Sequence, residues 1–217
     1  MQLSIDEVVA RLWPGAAASV ERLSAGITNA NFRVDVNEES FVVRVVGERT
    51  DLLGIDRQSE VAAGRLAAGL GIGPDIVEAD VDAGFMVTRF IAGRSISPSE
   101  VGAEPILGEI AAALRHVHAS GVIDATFDTF RLVPAYREIA RHHGVRPPFD
   151  YEAMARSLEQ LAAVRPWRAA ALCHNDLLNS NLLHEGDGAG GGAAGPGRLR
   201  IVDWEYAGLG DPYFDLG

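Results

Sequence analysis

The chain changes character near residue 91, and that change restricts the fold more than any other feature of the sequence. Before it, short apolar runs at 20–23, 32–36, 41–46, 76–79 and 85–91 predict strands. Asn37-Glu38-Glu39-Ser40 separates the second run from the third and reads as a hairpin turn. One main helix is expected over 57–70, opened by Asp56 and ended by Gly71 and Gly73-Pro74. A shorter helix starts at the capping box of Ser4 and Glu7 and stops at Pro14. From Glu104 the period becomes helical, with Ile106, Leu107, Ile110, Leu114 and Val117 on one stripe, and further helix is expected at 136–143 and 151–164. Two short apolar runs follow at 170–173 and 199–202, and the Gly- and Ala-rich segment 186–197 between them reads as a hairpin tip. The stretch 92–99 is polar, holds Gly93 and Pro98, and reads as a connection. The expectation is an α+β fold of two lobes: a strand-rich lobe over 1–91, a linker over 92–99 and a mainly helical lobe over 100–217.

The chemistry is concentrated after the first of the two late apolar runs. His174-Asn175-Asp176-Leu177-Leu178-Asn179-Ser180-Asn181 places an Asn five positions after an Asp, and Asp203 closes the next apolar run. Phosphoryl transfer needs an acceptor hydroxyl held in line with a terminal phosphate, and oxygen ligands for the magnesium that neutralises that phosphate. Asp176 suits the first task as orienting group and proton acceptor; Asn181 and Asp203 suit the second. Glu205, two residues on, offers a further metal ligand. His174 reads as an organiser of the loop rather than as a base. Asp215 reads either as an anchor for the loop backbone or as a plain acid at a helix start.

The chain contains no Lys; its 19 basic side chains are all Arg. Any cationic phosphate contact must therefore come from Arg or a protonated His, and both Schiff-base chemistry and a P-loop are excluded. Arg44 sits inside Phe41-Val42-Val43-Arg44-Val45-Val46, where a charge in so apolar a strand calls for a partner. Glu60 on the following helix is the candidate. An exposed strand edge is the plainer reading of Arg44. The turn that runs through Ser24, Gly26, Thr28 and Asn29 offers small side chains and donors that can lie over phosphate oxygens.

Together these residues resemble the choline/ethanolamine kinase family, within the wider aminoglycoside phosphotransferase and protein-kinase-like superfamily. The resemblance rests on Gly26-Ile27-Thr28-Asn29, Val43-Arg44-Val45, the segment Ile55-Asp56-Arg57-Gln58-Ser59-Glu60, Cys173-His174-Asn175-Asp176 and Asp203-Trp204-Glu205-Tyr206, and covers about 23–217. It implies a two-lobed protein-kinase-like fold with Asp176 as base, magnesium on Asn181 and Asp203 with Glu205 as a further ligand, and Arg44 with Glu60 at the phosphates of ATP. It also implies adenine hydrogen bonds to the backbone around Ile91. Family members usually continue past the point matching Gly217 with helices that supply much of the acceptor pocket, so the expected fold lacks C-terminal helices.

The acceptor implied is a small cationic alcohol, choline or ethanolamine. Trp204 and Tyr206 are candidate aromatic faces for its cation, with ordinary core packing as the competing reading. Two other outcomes stay open: a kinase for an aminoglycoside, thiamine or a sugar, or a nucleotide-binding pseudokinase without turnover. The formal net charge of −11 argues against a nucleic-acid partner. Cys173 is the only cysteine, which fits a reducing, cytoplasmic setting, and no apolar run is long enough for a membrane span.

Overall fold

The computed structural model describes residues 3–23, 29–47, 50–146, 150–186 and 198–216. Ser24, Gly26 and Thr28 of the expected phosphate turn, and nearly all of the Gly-rich segment, lie outside the described residues.

The first helix, α1 (Ile5–Leu12), carries the expected capping box: Ser4 Oγ accepts from Glu7 N–H and Glu7 Oε2 accepts from Ser4 N–H at 2.7 Å. Five strands then form one antiparallel sheet: β1 (Ala18–Arg22), β2 (Asn29–Val36), β3 (Glu39–Val46), β4 (Ile76–Asp80) and β5 (Phe85–Arg89). Their order is β1-β2-β3-β5-β4. The β2–β3 hairpin closes on Asn37 and Glu38, with φ of 51° and 64°, the left-handed pair that a two-residue turn needs to match strand twist.

Strand parity does the positioning. Phe41, Val43 and Val45 of β3 pack with Val34, Val36, Phe85 and Val87 against Val8 of α1. Val42 and Arg44 therefore lie on the opposite face, in register with Thr88 and Met86 of β5. That second face looks into a cavity.

The helix α2 (Arg57–Gly69) starts at Asp56, whose carboxylate accepts from the N–H groups of Gln58 and Ser59. Its Ala63 and Ala67 join a second core with Ile72, Leu172, Leu182, Ile201 and Trp204. This core also takes Ile110, Ala113, Leu114 and Val117 from α4 (Ile106–His118). Leu107, expected on that stripe, is 45% exposed, because the helix turns Ala113 inward.

The stretch 92–99 is more than a connection. It contains β6 (Gly93–Ser95) and opens the short helix α3 (Pro98–Val101). β6 pairs with β8 (Leu182–Glu185), which pairs with β9 (Arg198–Ile201), and the expected linker thus becomes one edge of a three-stranded sheet. A two-stranded ladder joins β7 (Ala171–Cys173) to β10 (Gly208–Gly210). The remaining helices are α5 (Thr129–His142) and α6 (Tyr151–Val164). α5 begins well before the expected 136, because Asp128 caps it and Pro134 falls inside it. No helix among the described residues is long and apolar enough to cross a membrane.

Candidate active site

The loop after β7 is held rigidly from behind. Asp215, in a 3-10 turn (Phe214–Leu216), accepts from His174 N–H at 3.0 Å and from Asn175 N–H at 2.7 Å. Its Oδ2 also lies 2.9 Å from Nε2 of His118 on α4. A carboxylate only accepts, so His118 carries its proton on that nitrogen. His174 is fully buried, and its two ring nitrogens are both engaged. Nδ1 accepts from Asp176 N–H at 3.2 Å, which leaves Nε2 to donate to the Val202 carbonyl at 3.0 Å. Burial pushes the His174 pKa below the ordinary value, so the ring is a neutral strut between the loop and the segment after β9. Asn175 and Asp203 sit at φ of 65° and 70°, in the left-handed region that Asn and Asp adopt more readily than other non-glycine residues. The Asn175 side chain sustains its own bend by donating to the carbonyls of Cys173 and Tyr206.

Asp176, Asn181 and Asp203 meet at the mouth of one cavity of about 580 Å³. Asn181, at the end of a 3-10 turn (Asn179–Asn181), donates to the Asp176 carbonyl at 2.9 Å and lies 3.4 Å from its Oδ2. Burial raises the Asp176 pKa, and the nearby carboxylates of Asp203 and Glu205 add to the rise. Val42, Ile76, Met86 and Leu183 line the apolar part of the cavity, and Ile91 lines it where β5 ends. The cavity thus joins an apolar lining to a cluster of side-chain oxygen atoms.

That cluster is a closed ring of charge. Arg44 Nη1 donates to Glu60 Oε1, and Nη2 donates to Asp203 Oδ1 at 2.7 Å. Arg57 Nη1 donates to Glu60 Oε2 at 2.7 Å and to Glu205 Oε2 at 3.1 Å. Burial opposes the charge on Arg44, but Glu60, Asp203 and Glu205 more than offset it and hold its pKa above the ordinary value. Arg44 therefore faces inward with two partners and is not an edge residue.

Other expected residues land elsewhere. The Asn29 side chain, expected to offer a donor to phosphate, instead accepts from Arg57 at 2.9 Å and donates to Glu205 at 2.8 Å. Trp204 is 4% exposed, stands edge-on to the His174 ring and donates to the Ile201 carbonyl, and it is also among the residues that line the cavity. Tyr206 does line the cavity, and burial pushes its phenol up to about 12. Its ring is 6.4 Å from that of Phe127, which in turn is 5.4 Å from Phe214. The sequence reading missed Arg57, His118 and Phe127 as neighbours of the site. Arg57 was visible only as one letter of the Asp56–Glu60 segment. Nothing local ties His118 or Phe127 to the loop.

Residues 19–217 match the family described as "Phosphotransferase enzyme family". Protein LicA of Haemophilus influenzae is 26% identical over 204 residues, which cover 88% of this chain and 54% of that protein. The crystal structure of choline kinase LicA from Streptococcus pneumoniae superposes with a TM-score of 0.79 at 26% identity, over 98% of this chain and 71% of that one. A choline/ethanolamine kinase family protein from Mesorhizobium loti gives a TM-score of 0.71 at 30% identity, over 97% and 68%. The chain belongs to the phosphotransferase enzyme family, and within it to the choline/ethanolamine kinase group. It spans about half the length of the curated relatives it matches.

Proposed function

We propose that the chain transfers the terminal phosphate of ATP to the hydroxyl of a small alcohol, with choline or ethanolamine as the acceptor. The single observation that carries this reading is the convergence of Asp176, Asn181, Asp203 and Arg44 on one cavity, from elements 159 positions apart at the extremes. Residues 1–91 would act as the nucleotide lobe and 100–217 as the catalytic lobe, joined through 92–99 with its strand β6.

In this reading the adenine lies in the apolar slot, with backbone near Ile91 as its hydrogen-bonding edge. Arg44, oriented by Glu60, turns its planar fork to the phosphates; a Lys there would present a point charge instead. Asp176 holds the acceptor hydroxyl and takes its proton, with Asn181 fixing the carboxylate. The donor set also fits magnesium. Among the described residues, four carboxylates (Glu60, Asp176, Asp203, Glu205) face two guanidiniums (Arg44, Arg57), an excess of two negative charges built from hard oxygen atoms. Magnesium on Asn181 and Asp203, with Glu205 as a further ligand, would neutralise the phosphate charge. Tyr206, which lines the cavity, with the Phe127 ring 6.4 Å behind it, would offer an aromatic surface for a quaternary or primary ammonium.

The choice of acceptor follows the names of the similar proteins, the Streptococcus pneumoniae choline kinase in particular. The test is magnesium-dependent ATP consumption screened against choline, ethanolamine, thiamine and aminoglycosides. Stimulation by choline or ethanolamine alone supports the reading; stimulation only by thiamine or an aminoglycoside moves the acceptor; none at all from folded protein leaves a nucleotide-binding module without turnover.

A further inference from the structure

The ring of charge around Glu60 has two arms of different character. Glu60 is 4% exposed and each of its oxygens carries one arginine. The Arg44 arm ends on Asp203, and the Arg57 arm ends on Glu205. Asp203 and Glu205 are two residues apart on the segment after β9, so Glu60, Arg44, that segment and Arg57 close a loop. Arg57 alone has an additional tie, to Asn29 at the start of β2, and Asn29 returns a bond to the same Glu205 oxygen.

The arms face different demands. An arginine bonded to Asp203 holds the very carboxylate proposed to receive a metal, so a metal on Asp203 and phosphate on Arg44 would both compete with that bond. Nothing proposed for the reaction asks Arg57 to move. Its side chain is 12% exposed, its three partners come from α2, β2 and the segment after β9, and both of its Nη atoms are engaged. We propose that Arg57 is a positioning residue: it holds Glu60 and Glu205 in place while Arg44 exchanges Asp203 for the nucleotide.

This inference rests on the phosphotransferase reading, but it concerns binding rather than turnover. Without Arg57, Glu60 and Glu205 would keep their burial and lose a shared cation, and Arg44 would be drawn toward three acids at once. The nucleotide with its metal would then compete against a more firmly held Arg44. A lysine offers its three donors from one nitrogen, so it could bridge Glu60 and Glu205 as Nη1 does but would lack the second nitrogen that reaches Asn29.

The test compares wild type, Arg57→Lys and Arg57→Ala by calorimetric titration with ADP in magnesium. Mn²⁺ binding by electron paramagnetic resonance and urea unfolding are measured alongside. Expected is a loss of ADP–magnesium affinity of at least about tenfold for Arg57→Ala, a smaller loss for Arg57→Lys, and partial recovery of Arg57→Ala by millimolar methylguanidinium. If Arg57→Ala does not fold, Arg57→Lys in a double-mutant cycle with Glu205→Gln serves instead, and the two losses should be clearly less than additive. Affinity unchanged in the folded lysine variant, or fully additive losses, would overturn the proposal. If wild type binds ADP–magnesium and Arg57 matters but no acceptor is phosphorylated, the function assignment fails while the positioning role stands.

Discussion

Asp215→Asn isolates the device that holds the catalytic loop. The substitution keeps the shape and removes one acceptor and the charge. In the native site Oδ1 accepts from Asn175 N–H, and Oδ2 accepts from both His174 N–H and His118. The new amide must turn its NH₂ to one side. Turned toward Asn175, it sets donor against donor and orphans one buried backbone N–H, at about 1–3 kcal/mol. The bonds that remain lose their charge assistance, which roughly halves them. The sum is about 2–4 kcal/mol, a large part of the ~5–15 kcal/mol that stabilises an ordinary domain. For a chain of this length that corresponds to a fall in Tm of roughly 4–16 °C. Urea unfolding followed by circular dichroism reads it directly. A variant within about 0.5 kcal/mol of wild type, the range of ordinary surface changes, would refute the claim that Asp215 carries this backbone.

Four other outcomes follow from the structure. Gly93→Ala would bring a Cβ to 2.5 Å from the His184 carbonyl across the β6–β8 ladder, so a loss of about 1–3 kcal/mol is expected; an unchanged urea midpoint would show that the strands can part at no cost. Asp56→Ala removes the cap from the helix that bears Arg57 and Glu60, at about 0.5–2 kcal/mol, and thermal unfolding should register it. Asp176 must be ionised to act as base, and its pKa is raised in the folded state, so activity should fall on an acid limb whose midpoint lies above the ordinary value of 3.8. The linkage has the opposite sign to that of a salt-bridged acid. Ionising Asp176 costs folding stability at pH above its folded pKa, and the cost vanishes below 3.8, so Asp176→Asn should be neutral or stabilising at pH 7. A destabilised variant would mean the carboxylate is better solvated than its surroundings suggest.

What could be read from the chain alone was local. The Asp176–Asn181 spacing and Asp203 at the end of an apolar run are set by one loop and one hairpin, so they survive without tertiary information. Asp56 before a helix, Asn37-Glu38 between strands, and 151–164 as a helix are likewise decided within a few residues. The unread parts depend on partners far along the chain. Gly93–Ser95 becomes a strand only because Leu182–Glu185 arrives beside it, and Gly208–Gly210 only because β7 does. The contact of Trp204 with the buried His174 ring, 30 positions earlier, is likewise invisible in the local pattern. Arg57 marks only the start of a helix in the sequence; its partners Glu205, 148 positions later, and Asn29 come together only in the fold. Its burial is paid by those partners, and no short-range pattern announces them.

The central claim concerns Asp176, and transfer of labelled phosphate from ATP to choline or ethanolamine tests it most directly, with wild type and Asp176→Asn measured together and ADP–magnesium affinity as the control. The expected result is a phosphorylated alcohol from wild type and a loss of at least about 10²-fold in the variant, with nucleotide affinity nearly unchanged. Transfer by Asp176→Asn at close to the wild-type rate would contradict the account.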